Sequence, residues 1–94
     1  MTATSRRREP APGRVEQTAR DLLALLGGPD NIAEVSYCFT KLRLTLLNRA
    51  AADDTSLLAH PAVLGLIDDM TFQVITGPAT VEPVAHALEA LLPP

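Results

Sequence analysis

The sequence is poor in the residues from which disulfides and metal sites are made. Its 94 residues include one cysteine, Cys38, and two histidines, His60 and His86. A single cysteine excludes a disulfide within the chain, dithiol redox chemistry and any site that needs several thiolates. The histidines lack the spacing of a ligand cluster, so we expect each to have a surface or helix-capping role. We therefore predict no metal and no cofactor.

Long apolar runs are also missing from the sequence. Its apolar segments are far too short to span a bilayer, and none follows the basic start of the chain as a secretory signal would require. The length suits one domain with a modest core and little room for an enclosed substrate cavity. We expect a cytoplasmic monomer that acts on something presented by a partner.

Positive charge is scarce beyond the first residues. The formal net charge is −3, but residues 1–14 hold four arginines against one glutamate, net +3, which leaves −6 for residues 15–94. The four cations of that second part are Arg20, Lys41, Arg43 and Arg49. Since Lys41 and Arg43 closely follow Cys38, positive potential is concentrated where an anion would need it.

Residues 1–13 combine three adjacent arginines with prolines and small polar residues. Such a composition cannot bury enough apolar surface to offset the entropy of ordering, so we predict a disordered basic tail followed by a folded domain over residues 14–94. A basic arm can bind nucleic acid. These arginines lack interleaved aromatic residues, however, and the folded part is strongly acidic, so we expect no nucleic-acid partner.

Cys38 precedes a segment with the period-2 pattern of a half-buried strand. Its apolar side consists of Leu42, Leu44 and Leu46, and its polar side of Lys41, Arg43 and Thr45. Both cations therefore leave the same face, with the cysteine in the turn before them. A thiol reacts as its thiolate, which nearby cations stabilise. From the residues alone two interpretations stay open, a reactive nucleophile and a small buried hydrophobe.

The order of predicted elements is helix, two strands, helix, two strands, helix. The helices are expected at residues 14–26, from Asp53 to before Pro61, and after Gly77-Pro78; the strands at 32–37, 41–47, 63–67 and 71–76. We expect Gly27 and Gly28 to end the first helix, the third strand to be mostly buried and Asp68-Asp69 to form a solvated turn. This order predicts a two-layer α+β domain, with helices on one face of a sheet made from two antiparallel hairpins.

Three motifs connect these elements to a known family. Residues 38–44, Cys-Phe-Thr-Lys-Leu-Arg-Leu, resemble the phosphorylation-site signature of enzyme IIB components of the glucose/sucrose/β-glucoside superfamily of the sugar phosphotransferase system. Residues 26–32, Leu-Gly-Gly-Pro-Asp-Asn-Ile, and 72–78, Phe-Gln-Val-Ile-Thr-Gly-Pro, are similar to two further motifs of that family, in the same order along the chain.

The resemblance implies a four-stranded antiparallel sheet in the order 1-2-4-3 with three helices on one face. It also implies a phosphoryl carrier: Cys38 would accept a phosphoryl group from a phosphohistidine on enzyme IIA and pass it to a sugar bound by the membrane enzyme IIC, at the inner face of the membrane. We expect an exposed thiolate with anion stabilisers around the transferred group. These would be the backbone N–H groups of Phe39, Thr40 and Lys41, the Thr40 hydroxyl, and the charges of Lys41 and Arg43.

One departure from the family pattern falls at the site itself. Lys41 stands where the family usually has arginine, and lysine offers a point charge where arginine offers a planar fork of donors. An alternative function also remains open, a non-catalytic or regulatory protein-interaction module of the same fold in which Cys38 only packs.

Overall fold

The computed structural model describes residues 12–93, in which three helices lie on one face of a four-stranded antiparallel sheet. The helices are α1 (Pro12–Leu25), α2 (Asp54–Ala59) and α3 (Val81–Leu91), and the strands are β1 (Ile32–Tyr37), β2 (Lys41–Leu46), β3 (Gly65–Asp68) and β4 (Phe72–Ile75). The order across the sheet is β1-β2-β4-β3. The predicted α+β class and sheet order are both confirmed.

Helix α1 begins at Pro12, two residues before the predicted start. Proline suits the first helical position because its missing N–H would have no partner there. The helix ends as predicted, since Gly27 and Gly28 take positive φ values of 106° and 90°, and the Gly28 N–H donates to the Leu23 carbonyl (2.8 Å). The predicted basic tail, residues 1–13, lies outside the described residues except for its last two.

Along the two central strands, residues that face the helices alternate with residues on the opposite face of the sheet. On β2 and β4 the buried residues are Leu42, Leu44, Phe72 and Val74, whereas Arg43 and Thr45 on the other face are exposed. Helix α3 contributes Val81, Val84, Ala85 and Leu88 to the same core, α1 contributes Ala19, Leu22 and Leu23, and Leu26 follows directly after α1. The open face of the sheet is therefore the one that carries the cations of β2. Within residues 12–93, no helix is long and apolar enough to cross a membrane.

Strand β3 departs from the prediction in position and burial. It begins at Gly65 and not at Val63, because the chain first completes a turn in which the Val63 N–H donates to the His60 carbonyl (3.0 Å). All four of its residues are half-exposed or exposed, so the expected burial was wrong. The physical reason is its place at the edge of the sheet, where it pairs with β4 alone.

Asp68 is exposed, as expected of a solvated acidic pair, but the predicted turn was wrong for this residue, which ends β3. It accepts a hydrogen bond from Arg49 Nε (2.9 Å), while Arg49 Nη2 donates to Asp54 at the start of α2 (2.7 Å). The guanidinium also lies 4.4 Å from the ring centroid of Phe72. Arg49 thus joins α2 to both strands of the second hairpin, and its hydrogen bond lowers the pKa of Asp54.

Both histidines have the roles expected of them. His60 is the C-cap residue of α2; its Nδ1 accepts the Ala62 N–H (3.0 Å), so Nε2 is the protonated nitrogen that faces Asp21 of α1 (2.9 Å). His86 is exposed on α3, and its ring packs edge-on against Tyr37, the last residue of β1, at 5.8 Å.

Asn31 is the main polar residue inside the fold. It is 6% exposed, and its amide nitrogen donates to the carbonyls of Leu26 (2.8 Å) and Asn48 (3.0 Å) while its amide oxygen accepts the Asn48 N–H (2.7 Å). A single side chain therefore joins the end of α1 to the chain that leaves β2. Removing it would leave buried donors and acceptors without partners.

We expect Asn31→Ala to lower the free energy of unfolding by about 2–3 kcal/mol, because the Leu26 carbonyl and the Asn48 N–H lose the partner that replaces water, while the Asn48 carbonyl keeps the Ala51 N–H (3.1 Å). Chemical denaturation with an unchanged dependence on denaturant would measure the loss. Asn48→Ala is the matched control: this exposed side chain only caps a short turn through the Ala50 N–H (3.1 Å), so its loss should cost about 1 kcal/mol or less. Equal losses in the two variants would contradict this role of Asn31.

Candidate functional site

Cys38 lies in a tight turn at the tip of the first hairpin. It follows β1, and its N–H donates to the carbonyl of Lys41, the first residue of β2 (2.9 Å). The two residues between them, Phe39 and Thr40, form the tip. Cys38 is half-buried, and the side chain of Phe39 is 78% exposed. The thiol is thus at the surface of the domain and outside its hydrophobic core.

Two backbone amides converge on the sulfur of Cys38. The N–H groups of Thr40 and Lys41 donate to it, and the positive charges of Lys41 and Arg43 add a smaller effect in the same direction. Partial desolvation opposes them, but the pKa of the Cys38 thiol is lowered overall, chiefly by the Thr40 N–H. The Phe39 N–H, which was predicted with these two to bind the transferred group, is not among the donors to the sulfur in the described part of the chain. The turn is a small anion-binding nest around the sulfur.

The cations lie where the strand pattern predicted them. Arg43 is exposed and Lys41 half-exposed, on the face opposite the buried Leu42 and Leu44. Register places Arg43 directly opposite Ser36 of β1 on one side and Gln73 of β4 on the other. Side chains of such pairs lie within contact distance on one face of a sheet. Cys38, Lys41 and Arg43 are therefore brought to one end and one face of the domain.

Gln73 is a polar neighbour of this site to which the sequence pattern assigned no role. Its half-exposed amide occupies the same open face as Arg43, between the buried Phe72 and Val74. The sequence signal for Gln73 was the period-2 pattern of the fourth strand, in which it is the one polar residue. That pattern indicates the face of the sheet on which Gln73 lies, but it does not indicate that Gln73 lies opposite Arg43 of β2.

Thr40 enters the site through its backbone, and the role of its hydroxyl stays a prediction. Its N–H donates to the sulfur, and its carbonyl accepts the N–H groups of Thr76 (3.0 Å) and Gly77 (3.1 Å). The chain after β4 therefore touches the cysteine turn directly. This contact connects residues far apart in the sequence, and no local pattern predicted it.

The arrangement suits chemistry on an anion at sulfur. Two N–H donors and two cations stabilise the thiolate, and the same groups would stabilise negative oxygens on a group transferred to it. Across residues 12–93, no group of three or more His, Cys, Asp or Glu side chains is placed to hold a metal ion. Fold and site together define a small α+β domain that presents an activated thiol at the tip of a hairpin.

Comparison with known proteins gives the family. The family model for the phosphotransferase system EIIB matches residues 20–53, which include the cysteine turn and both strands of the first hairpin. Over 76 residues, 81% of this chain, the sequence is 38% identical to the PTS system MurNAc-GlcNAc-specific EIIBC component of Staphylococcus aureus strain USA300, and equally to that of strain NCTC 8325. The chain belongs to the EIIB family of the sugar phosphotransferase system.

The extent of these matches differs between the relatives. The matched region is 16% of the length of each Staphylococcus aureus protein. A crystal structure of one domain of the PTS system IIabc component from Clostridium difficile superimposes with a TM-score of 0.80 at 24% identity, over 87% of this chain and 86% of that one. That likeness supports the fold. The function of an EIIB domain is phosphoryl transfer in the sugar phosphotransferase system.

The geometry of the site predicts a reactive cysteine. Because the thiol pKa is lowered, alkylation by iodoacetamide should reach half its maximal rate at a lower pH in the native protein than in the protein unfolded in urea. Lys41→Met should slow alkylation at pH 7 by about two- to fivefold, since losing the charge raises the pKa and lowers the thiolate fraction. Arg20→Met, an exposed cation on α1, is the control and should change nothing. Slow alkylation of the folded wild-type protein would favour the packing interpretation of Cys38.

Proposed function

We propose that this chain is a phosphoryl carrier in which Cys38 is the phosphorylated residue. The donor would be a phosphohistidine on an enzyme IIA, and the acceptor a sugar hydroxyl held by a membrane enzyme IIC. The observation that carries the proposal is the pair of Thr40 and Lys41 N–H groups directed at the sulfur in an exposed turn. Family membership supplies the type of reaction.

In the first step, the thiolate attacks the phosphorus of the phosphohistidine. The P–N bond breaks, the P–S bond forms, and the imidazole leaves with the electron pair. Charge in the transition state is spread over the equatorial oxygens of the phosphoryl group. The Thr40 and Lys41 amides and the two cations are placed to stabilise that charge without reorganisation. Exposed Phe39 offers an apolar contact to the docking donor beside the reacting sulfur.

In the second step, a sugar hydroxyl attacks the same phosphorus. The P–O bond forms, the P–S bond breaks, and the thiolate is regenerated while the hydroxyl proton passes to a base outside this chain. The transferred oxygens must be held in line with the attacking hydroxyl. A guanidinium holds two oxygens through a planar fork, which an ammonium cannot do. Arg43 is the fork that the strand pattern places on the face of the thiol.

The membrane component would choose the sugar, because the domain has its reacting atom at an exposed tip. The MurNAc-GlcNAc specificity in the names of the relatives belongs to proteins of which this chain matches a small part. We propose that the chain works as a monomeric domain on the cytoplasmic face of the membrane, bound there through enzyme IIC. The EIIBC composition of the relatives supports that partner.

The direct test is intact-mass analysis after incubation with phosphoenolpyruvate, the general phosphotransferase proteins and a IIA. The mass should rise by one phosphoryl group, acid-labile and located on Cys38. Cys38→Ser should keep the fold, as judged by circular dichroism, and acquire none. Phosphorylation that persists in Cys38→Ser would disprove the assignment. A wild-type protein that is never phosphorylated but still binds a partner would favour the interaction module.

Exchanging the cations should separate the two steps. Arg43→Lys should leave phosphorylation by IIA largely intact but slow transfer to the sugar about ten- to hundredfold, the effect of losing a charge-assisted hydrogen bond of about 1.5–3 kcal/mol. Single-turnover transfer from the purified phosphoprotein to membranes that carry the cognate IIC would measure it. Lys41→Arg, which adds a fork two residues closer to the turn, should be neutral or faster. Transfer by Arg43→Lys at the wild-type rate would show that positive charge and backbone N–H donors suffice for transfer to the sugar, without a guanidinium.

A further inference from the structure

The cysteine turn, residues 38–41, accepts hydrogen bonds from the chain between β4 and α3. Two consecutive N–H groups, those of Thr76 (3.0 Å) and Gly77 (3.1 Å), donate to the Thr40 carbonyl. That carbonyl belongs to the same peptide group as the Lys41 N–H. Because a trans peptide is planar and its C=O and N–H point in opposite directions, fixing the carbonyl on one side also fixes the direction of the N–H on the other. The Lys41 N–H is one of the two amides that donate to Cys38 sulfur.

Gly77 has the backbone conformation that lets the chain turn away directly after this contact. Its φ is +92°, in the region that residues with a side chain rarely adopt. With this bend the chain leaves the Thr40 carbonyl, which both amides still bind, and enters the turn before α3, where the N–H groups of Thr80 (3.3 Å) and Val81 (3.1 Å) donate to the Gly77 carbonyl. A Cβ on Gly77 would meet only Leu64 Cδ1, at an ordinary contact distance of 3.6 Å. The need for glycine is therefore conformational and not steric.

We propose that Gly77 is a positioning residue for the reaction of Cys38, acting through the Thr40–Lys41 peptide. Its positive φ lets the chain turn toward α3 while two donors stay on the Thr40 carbonyl, and these donors keep the Lys41 N–H aimed at the sulfur. The proposal rests on the carrier function of Cys38 for its biological meaning. Two donors on one carbonyl also polarise the peptide group, which strengthens the hydrogen bond that its N–H gives to an anion.

The chain offers a matched control for Gly77. Gly28 has almost the same backbone angle, φ +90°, lies in the cap of α1, and has nothing within 4 Å of the position that a Cβ would take. Gly77→Ala and Gly28→Ala therefore both force a residue with a side chain onto a positive φ, at different places in the fold.

The measurement is the rate of Cys38 alkylation by iodoacetamide as a function of pH in the folded variants. Lys41 and Arg43, the charged groups that act on the thiol, are present in all of them. Gly77→Ala should alkylate about three- to tenfold more slowly at pH 7, with its midpoint moved to higher pH, because a weakened Lys41 hydrogen bond stabilises the thiolate less. Gly28→Ala should match the wild type. Equal rates for Gly77→Ala and Gly28→Ala would overturn the proposal.

Replacement of Gly77 by D-alanine makes the test independent of how well Gly77→Ala folds. A D-residue adopts positive φ, and the chain can be assembled by chemical ligation at Cys38, its only cysteine. The D-alanine protein should react like the wild type; slow alkylation in it, while folded, would overturn the proposal. Alkylation requires no phosphoryl donor. A protein that shows the Gly77 effect but accepts no phosphoryl group would therefore disprove the carrier function and leave the positioning role intact.

Discussion

The antiparallel pairing of β2 with β1 and β4 is the constraint on which the site depends. β2 lies inside the sheet with a partner on each edge, so its register determines which side chains face the helices. Leu42 and Leu44 are fully buried against them, and a shift by one residue would expose both. The same register sends Arg43 to the open face beside Gln73. The register of β2 thus determines both the packing of the core and the direction of the cations.

A small domain with little buried polar surface stabilises its thiolate mostly with its backbone. The amides of Thr40 and Lys41 need no salt bridge and no enclosed cavity, and they stay in place because the turn that bears them is tied to β4 and α3. The side-chain charges of Lys41 and Arg43 remain free to meet a partner or a transferred group. This division explains how a chain with a net negative charge can present a local anion site.

The parts of the fold that could be predicted are those with strong local signals. The first hairpin followed from the alternation of leucines with polar residues, the end of α1 from Gly27-Gly28, and the start of α2 from Asp53, whose side chain accepts the Ser56 N–H (3.1 Å). The third strand was misplaced because an apolar run does not tell an edge strand from a buried one. The ion pair of Asp68 with Arg49 was not predicted, because the two residues lie in different elements.

The amino-acid sequence by itself determined the α+β class, the nucleophile candidate Cys38 and the face on which Lys41 and Arg43 stand, since each depends on neighbours within a few residues. Tertiary structure alone decided which distant residues contact the turn that bears the cysteine. The contacts of Thr76 and Gly77 with Thr40, and the position of Gln73 opposite Arg43, exist only because β4 pairs with β2. Hydrogen bonds between distant segments depend on strand order and register, and residue spacing along one strand carries no information about either.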